Sequence, residues 1–381
     1  MLPKLSLARE GSTDLLVPAE SLRAKEPKTY PAFFNPAARI NRDVSVGMAK
    51  VTRPSTFLDA LAGIGARGVR IANEVSKSVE VTMVEFNTTS VEVAKRNAKK
   101  NRVAGRCHVI HEESNEYLHS RFGRLERFDH VDVDPFGSPA SYVQGALAAA
   151  ADDAIVSLTA TDTAALCGAF PAVAYRRYGA NVFRSEFAHE TAVRVLLGFC
   201  ARTGGALDTG IQPVAAHSTL HYLRVYFRVL RGAARSDQCL KDIGYVATCP
   251  ACHENSVTTK SYSQSCPKCG GSVRPMGPLW IGELVDERLV EEAAKYCVEL
   301  GWDGAGAALG VLAGVNRLPP YAYSMESITS REKISSVKFQ DVLDSLGRSG
   351  RIAMRQPFGA LGLKTDATYA EVVNAVTALA P

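Results

Sequence analysis

The chain has 381 residues, 46% hydrophobic and 22% charged, with 44 Lys and Arg against 39 Asp and Glu for a formal charge of +5. That length exceeds what one hydrophobic core usually organises and predicts two domains, and the composition excludes a disordered or collagen-like chain. The longest apolar stretches, such as Ala146 to Ala151 and Ala305 to Ala313, fall far short of the roughly 20 residues that span a bilayer, so no membrane association is expected. Lys4, Arg9, Glu10 and Asp14 interrupt any leader-like apolar core, which makes the cytoplasm the expected compartment. The mild positive charge permits a polyanionic partner without requiring one.

In chain order, Asn35-Pro36 first reads as a helix N-cap followed by proline in the first turn. From Thr56 to about Leu230, short β-branched runs alternate with helical patterns, which predicts an α/β domain built on a parallel sheet. The expected strands are Thr56 to Ala60, Glu80 to Glu85, Cys107 to His111, His130 to Asp134 and Ala154 to Thr159. The run from Leu220 to Leu230 alternates apolar with basic or polar residues, as a strand with one exposed face would, and Gln212 to Ala216 precedes it as an antiparallel partner. Composition shifts after Arg235, and the boundary is placed at Arg231, giving domains 1–231 and 232–381. Near the C-terminus, helices at Ser327 to Ser336 and Ser336 to Gly347 precede a short basic hairpin, the pattern of a winged-helix unit; an ordinary helical cap is the alternative.

Two loops carry chemistry. Asp59 sits before the first glycine, where methyltransferases use a carboxylate near the amino-acid end of S-adenosylmethionine. Gly63, Gly65 and Gly68 match G-x-G-x-x-G at the opening of a helix, where backbone N–H groups can approach a ligand. Arg67 intrudes into this loop, and Glu85 ends the next strand at the spacing that ribose recognition needs. NAD and S-adenosylmethionine both satisfy that layout, so an oxidoreductase stands as the rival. What separates them is Asp134-Pro135-Phe136-Gly137, directly after an apolar strand, which resembles the (D/N)-P-P-(Y/F) signature of amino-methyltransferases. A carboxylate and a fixed carbonyl accepting the two hydrogens of a conjugated amine favour its pyramidalisation, and an adjacent aromatic ring gives an extruded base a face to stack on. Asp134, the Pro135 carbonyl and Phe136 are the candidates.

With Phe33-Phe34-Asn35-Pro36, Asn41-Arg42-Asp43, the glycine loop, Asp134 to Pro139, Thr159 to Asp162 and Leu166-Cys167-Gly168 in this order, the chain from about Tyr30 to His189 resembles the tRNA (guanine-26-N2)-dimethyltransferase family. The resemblance implies a class I Rossmann-like methyltransferase domain, tRNA as partner, S-adenosylmethionine as cofactor, and transfer of one or two methyl groups to N2 of a guanine. It further implies that Arg42, Arg67, Glu85, Glu113 and Ser114 contact the cofactor, that Asp134 orients the amine, and that Phe33 and Phe136 sandwich the flipped base. At Glu85 and Glu113 the family more often has aspartate. A relic that only binds RNA, and an amino-methyltransferase acting on DNA or protein, are the other readings. No obligate protein partner is inferred.

Cys249, Cys252, Cys266 and Cys269 form C-x₂-C-x₁₃-C-x₂-C, whose four thiolates suit a closed, structural zinc site in a C-terminal α+β domain. His253 is superfluous to that set. Basic residues interleave with aromatics at Tyr222, Arg224, Tyr226, Phe227 and Arg228 and cluster again at Arg348, Arg351 and Arg355; both groups are candidates for tracking RNA phosphates.

Overall fold

The structure, a computed structural model, describes residues 2–24, 31–219, 221–259, 265–359 and 361–380. Tyr30 and Leu220, at which two of the sequence readings begin, lie outside the described residues.

An antiparallel hairpin, β1 (Leu5–Glu10) and β2 (Thr13–Pro18), comes first. Asn35 then caps a short 3₁₀ turn by accepting a hydrogen bond from the Ala37 backbone, as Asn-Pro predicts, and the turn leads into α1 (Arg39–Thr52). The α/β alternation follows as β3 (Thr56–Asp59), α2 (Ala66–Arg70), β4 (Glu80–Glu85), α3 (Thr88–Lys100), β5 (Cys107–His111), α4 (Ser114–His119), β6 (Phe128–Val133), α5 (Val143–Ala149) and β7 (Ala150–Ala160). Three helices, α6 (Thr163–Leu166), α7 (Pro171–Tyr178) and α8 (Ala188–Gly205), precede the pair β8 (Thr209–Thr219) and β9 (Tyr222–Arg231).

These seven strands make one sheet in the order β5-β4-β3-β6-β7-β9-β8. All neighbours are parallel except β7 with β9 and β9 with β8. The order reverses between β3 and β6, whose carboxyl ends therefore flank a crevice. Asp59 and Asp134 stand at those two ends. This mixed sheet with helices on both faces is the Rossmann-like architecture.

After Arg231 come α9 (Ala233–Leu240) and a three-stranded antiparallel sheet, order β11-β10-β12, from β10 (Ile243–Thr248), β11 (Asn255–Thr258) and β12 (Arg274–Trp280). Then α10 (Glu287–Glu299) and α11 (Asp303–Gly310) return to pack on α1. The main hydrophobic core therefore continues past Arg231: Leu279, Trp280, Ala293, Cys297 and Leu309 belong to the cluster that also contains Val46, Phe57 and Val131. A second, smaller core gathers Tyr323, Ile328, Val342, Leu346, Leu363, Val372 and Val376. It is built by β13 (Tyr323–Ser324), α12 (Met325–Glu332), α13 (Phe339–Arg348), β14 (Ala353–Arg355), β15 (Gly362–Thr365) and α14 (Tyr369–Thr377). Among the described residues no helix is long and apolar enough to cross a membrane.

Candidate active site and metal centre

Close packing explains the glycine loop. Asp59 is buried at the end of β3, and its Oδ2 accepts the Gly68 backbone N–H at 3.0 Å, tying strand to helix across the loop. A Cβ on Gly68 would lie 2.6 Å from Met83 Cγ, and Gly65 enters α2 with φ +75° hard against Met83 and Ala94. A side chain at Gly68 would have to displace Met83, and one at Gly65 would strain a left-handed backbone. At the end of β4, Glu85 Oε2 accepts the Gly63 N–H at 2.8 Å and Oε1 accepts the Asn87 N–H at 2.7 Å, so backbone donors fix this carboxylate beside the loop.

The Asp134 loop is braced from the other side. Thr161 Oγ1 accepts the Gly137 N–H at 2.7 Å, the Thr161 N–H returns a bond to Gly137 O at 2.9 Å, and Ser138 shares a 2.6 Å hydrogen bond with Tyr178 OH. Asp134 Oδ2 is held by Arg67 Nη2, and the side chain remains 31% exposed. Phe136 projects into solvent at 68% exposure. Its ring meets Phe33 edge-to-face, centroids 4.8 Å apart at 81°. The structure thus brings together both proposed stacking partners but leaves no slot between them. A base stacked on both faces must lie between the two rings, so these rings must part to admit one.

Beneath Asp134 lies a charged network that the sequence does not announce. Arg67 donates to Asn41 Oδ1 at 2.9 Å and to Ser45 Oγ, and its Nε is 3.2 Å from Asp132 Oδ1. Asp132, fully buried, also takes Arg224 Nη2 and a 2.6 Å bond from Ser157. Arg224 donates in addition to Thr159 Oγ1 at 2.6 Å and Tyr226 OH at 2.7 Å. Burial and the neighbouring guanidiniums hold His217 down to about 3, and burial above all does the same for His130, so both imidazoles are neutral. Burial, with repulsion from Asp132, pushes Asp59 up to about 7. A ligand ammonium near Asp59 would relieve that cost, and Glu85 on the adjoining strand is positioned for a diol; this donor set fits an amino-acid-bearing nucleoside.

The network corrects one expectation. Arg224, Tyr226 and Phe227 are entirely buried, and Tyr222 nearly so, and none of them can track phosphates. Strand β9 lies inside the sheet, and Tyr226 OH meets Ser45 of α1 at 3.3 Å, so the face read as solvent-exposed is covered. In the C-terminal group, Arg351 pairs with Glu371 and Arg355 lies over the Phe339 ring, while Arg348 is exposed.

The remaining sequence candidates fall at the margins. Arg42 is buried and grips Glu10 of the N-terminal hairpin through Nε at 2.7 Å and Nη2 at 2.6 Å, with Asn35 O a further acceptor at 3.0 Å. Ser114 Oγ donates to Ala60 O at 2.6 Å, and exposed Glu113 caps α4 through the Glu116 N–H. Residues missed in the sequence include Ser45 and Asp132, which carry no motif signal of their own, while Asn41 lies within the Asn41-Arg42-Asp43 motif, which assigns it no role.

The four cysteines converge. Their Sγ atoms all lie within 4.8 Å of one another, with Cys249 to Cys269 and Cys252 to Cys266 each at 3.6 Å. Tetrahedral zinc with bonds of about 2.3 Å separates its sulfurs by about 3.8 Å, so the set fits that ion. His253 turns away to meet the Tyr369 ring at 5.2 Å.

Comparison with known proteins matches residues 11–377 to the family model for N2,N2-dimethylguanosine tRNA methyltransferase. The tRNA (guanine(26)-N(2))-dimethyltransferase of Methanopyrus kandleri is 35% identical over 380 residues, covering 99% of this chain and 98% of its own length. The protein of the same name from Aeropyrum pernix is 35% identical over 400 residues, covering 99% and 97% respectively. Among solved structures, Trm1 from Pyrococcus horikoshii in complex with S-adenosyl-L-methionine superposes with a TM-score of 0.85 at 28% identity, covering 98% of this chain and 100% of that one.

Proposed function

Because the chain belongs to the N2,N2-dimethylguanosine tRNA methyltransferase family, we propose that it transfers methyl groups from S-adenosylmethionine to the exocyclic N2 of guanine 26 in tRNA. The observation that carries the reading at the site is Asp134, with Oδ2 fixed by Arg67 and the side chain still partly open at the crevice mouth. Nothing in this arrangement calls for the oxidoreductase rival.

Asp134 Oδ1 accepts one hydrogen of the amine and the Pro135 carbonyl the other, which localises the nitrogen lone pair for attack. Phe33 and Phe136 sandwich the base once their rings have parted. When bound, S-adenosylmethionine supplies an electrophilic methyl whose sulfur leaves neutral, so the enzyme's task is alignment more than proton removal. Near-attack alignment supplies of order 7 to 11 kcal/mol in the best intramolecular models. Asp59, the loop from Gly63 to Gly68 and Glu85 form the cofactor seat. Glu113 and Ser114 belong to its rim, and Arg42 steadies the hairpin that borders it. Arg67 enters as the partner of Asp134 more than as a cofactor contact.

We also keep a division of labour at Arg231: 1–231 for methyl transfer and 232–381 for a zinc ribbon and tRNA binding. Two observations support the second part. The sulfur cluster has zinc spacing, and α12, α13 and the β14–β15 hairpin follow the order of a winged helix. Incubating the purified protein with S-adenosylmethionine and an unmodified tRNA transcript carrying guanine at position 26, then analysing nucleosides by mass spectrometry, tests the reading. N2-methylguanosine and N2,N2-dimethylguanosine are the expected products; absence of both with cofactor bound would overturn it.

A further inference from the structure

Two adjoining clefts open where three parts of the chain meet, and neither belongs to the crevice described above. One, of about 360 Å³, is lined by Arg184, Ser185 and Glu186 together with Ser324, Ser327 and Gln356 of the C-terminal unit. The other, of about 210 Å³, shares Arg184 to Glu186 and adds Phe183, Arg274 beside the cysteine cluster and Arg331. Glu186 supplies the acidic charge, and it is already answered: Arg331 pairs with Oε1, and Oε2 accepts the Ser324 N–H at 2.8 Å. Arg184 and Arg274 have no carboxylate partner among the described residues. Arg274 instead sits over the Phe183 ring, its guanidinium carbon 4.1 Å from the ring centroid. Ser185 lines both clefts, and its buried Oγ has no hydrogen-bond partner among the described residues.

Two guanidiniums without a carboxylate partner on one cleft suit an anion, and a guanidinium over an aromatic ring is a platform that suits nucleic acid. The clefts are also mechanically close to the chemistry. Thr161 braces Gly137, and seven residues on, Gly168 presses on the next loop so tightly that a Cβ would stand 2.3 Å from the Phe183 carbonyl carbon. The Asp134 loop, the segment from Thr161 to Gly168 and the floor of the clefts therefore form one continuous stack.

We propose that this three-way junction is a seat for the phosphodiester backbone of the substrate RNA, in which Arg184 and Arg274 grip phosphates of the strand where it runs past the C-terminal unit. The inference rests on the tRNA reading above and adds a specific contact surface to it.

The test uses the full-length protein and a tRNA transcript, measuring tRNA dissociation constants across a salt series for wild type, for Arg184→Gln/Arg274→Gln, and for the charge-matched control Arg96→Gln/Arg288→Gln on exposed helix faces. The junction variant is expected to lose about ten-fold in tRNA affinity and to flatten the slope of log affinity against log salt by about 1 to 2, the loss of two phosphate contacts. Its S-adenosylmethionine affinity and thermal midpoint stay at wild-type values. Affinity and slope equal to wild type overturn the proposal, as does an equal fall in the control, which would assign the effect to overall charge. Failure of wild type itself to bind or methylate tRNA is a separate outcome that removes the underlying reading.

Discussion

Arg67 serves two carboxylates at once, and that shared bond sets what substitution at Asp134 will do. Asp134→Ala removes the amine acceptor while Arg67 keeps Asp132, so turnover should fall by about 10² to 10³ with S-adenosylmethionine affinity retained; isothermal titration and single-turnover methylation check the two halves. Asp59 gives a pH signature. Its unfolded value near 3.8 rises to about 7 in the fold, so between these limits the native state binds the extra proton, and its contribution to stability declines as pH rises through that window. Asp59→Asn keeps an acceptor for the Gly68 N–H and removes the charge. Denaturant unfolding of the apo protein should show the variant gaining on wild type between pH 5 and 8, by on the order of a few kcal/mol at the upper end. A constant difference across that range would contradict the assignment.

At the scale of elements, the parallel strands are legible because β-branched runs stand between turn signals, and β4 and β5 fall on the residues the pattern predicts. The antiparallel pair β8–β9 is legible in place but not in environment. Alternation of Arg and Tyr with apolar residues signals water only where nothing covers that face, and here α1 covers it while Asp132 neutralises Arg224. Sequence distance hides such pairing: Asp132 and Arg224 stand 92 residues apart. The cysteine cluster was the opposite case, because its spacing is local and the metal's geometry dictates it. Chelation of the metal or Cys266→Ser should lower the thermal midpoint by several degrees, and elemental analysis should return about one zinc per chain. Gly168→Ala tests the stack under the junction. With φ +81° and the Phe183 backbone within 2.6 Å, the methyl group should cost about 1 to 3 kcal/mol or more.

Across the whole molecule, one fully buried ion cluster joins the methyltransferase body to the C-terminal unit. Lys364 of β15 donates to both oxygens of Glu190 on α8, at 2.7 and 2.8 Å, and Arg194 binds the same carboxylate at 2.9 Å. Burial drives Lys364 down to about 8, and Lys364 with Arg194 holds Glu190 below the ordinary carboxylate range although burial works the other way. Lys364→Ala should cost about 3 to 5 kcal/mol in global unfolding, because an acid buried on the body loses its principal counter-ion. The loss should be visible in a single transition if the two cores unfold together.

The same cluster has a consequence for synthesis. Glu190 leaves the ribosome 174 residues ahead of Lys364, a delay of about 10 to 35 seconds at ordinary elongation rates. During that interval Arg194, one helical turn away on the same helix, is the cation available to the growing chain. The nascent body can thus close over α8 with its acid half-answered and wait for the last strand to complete the lock.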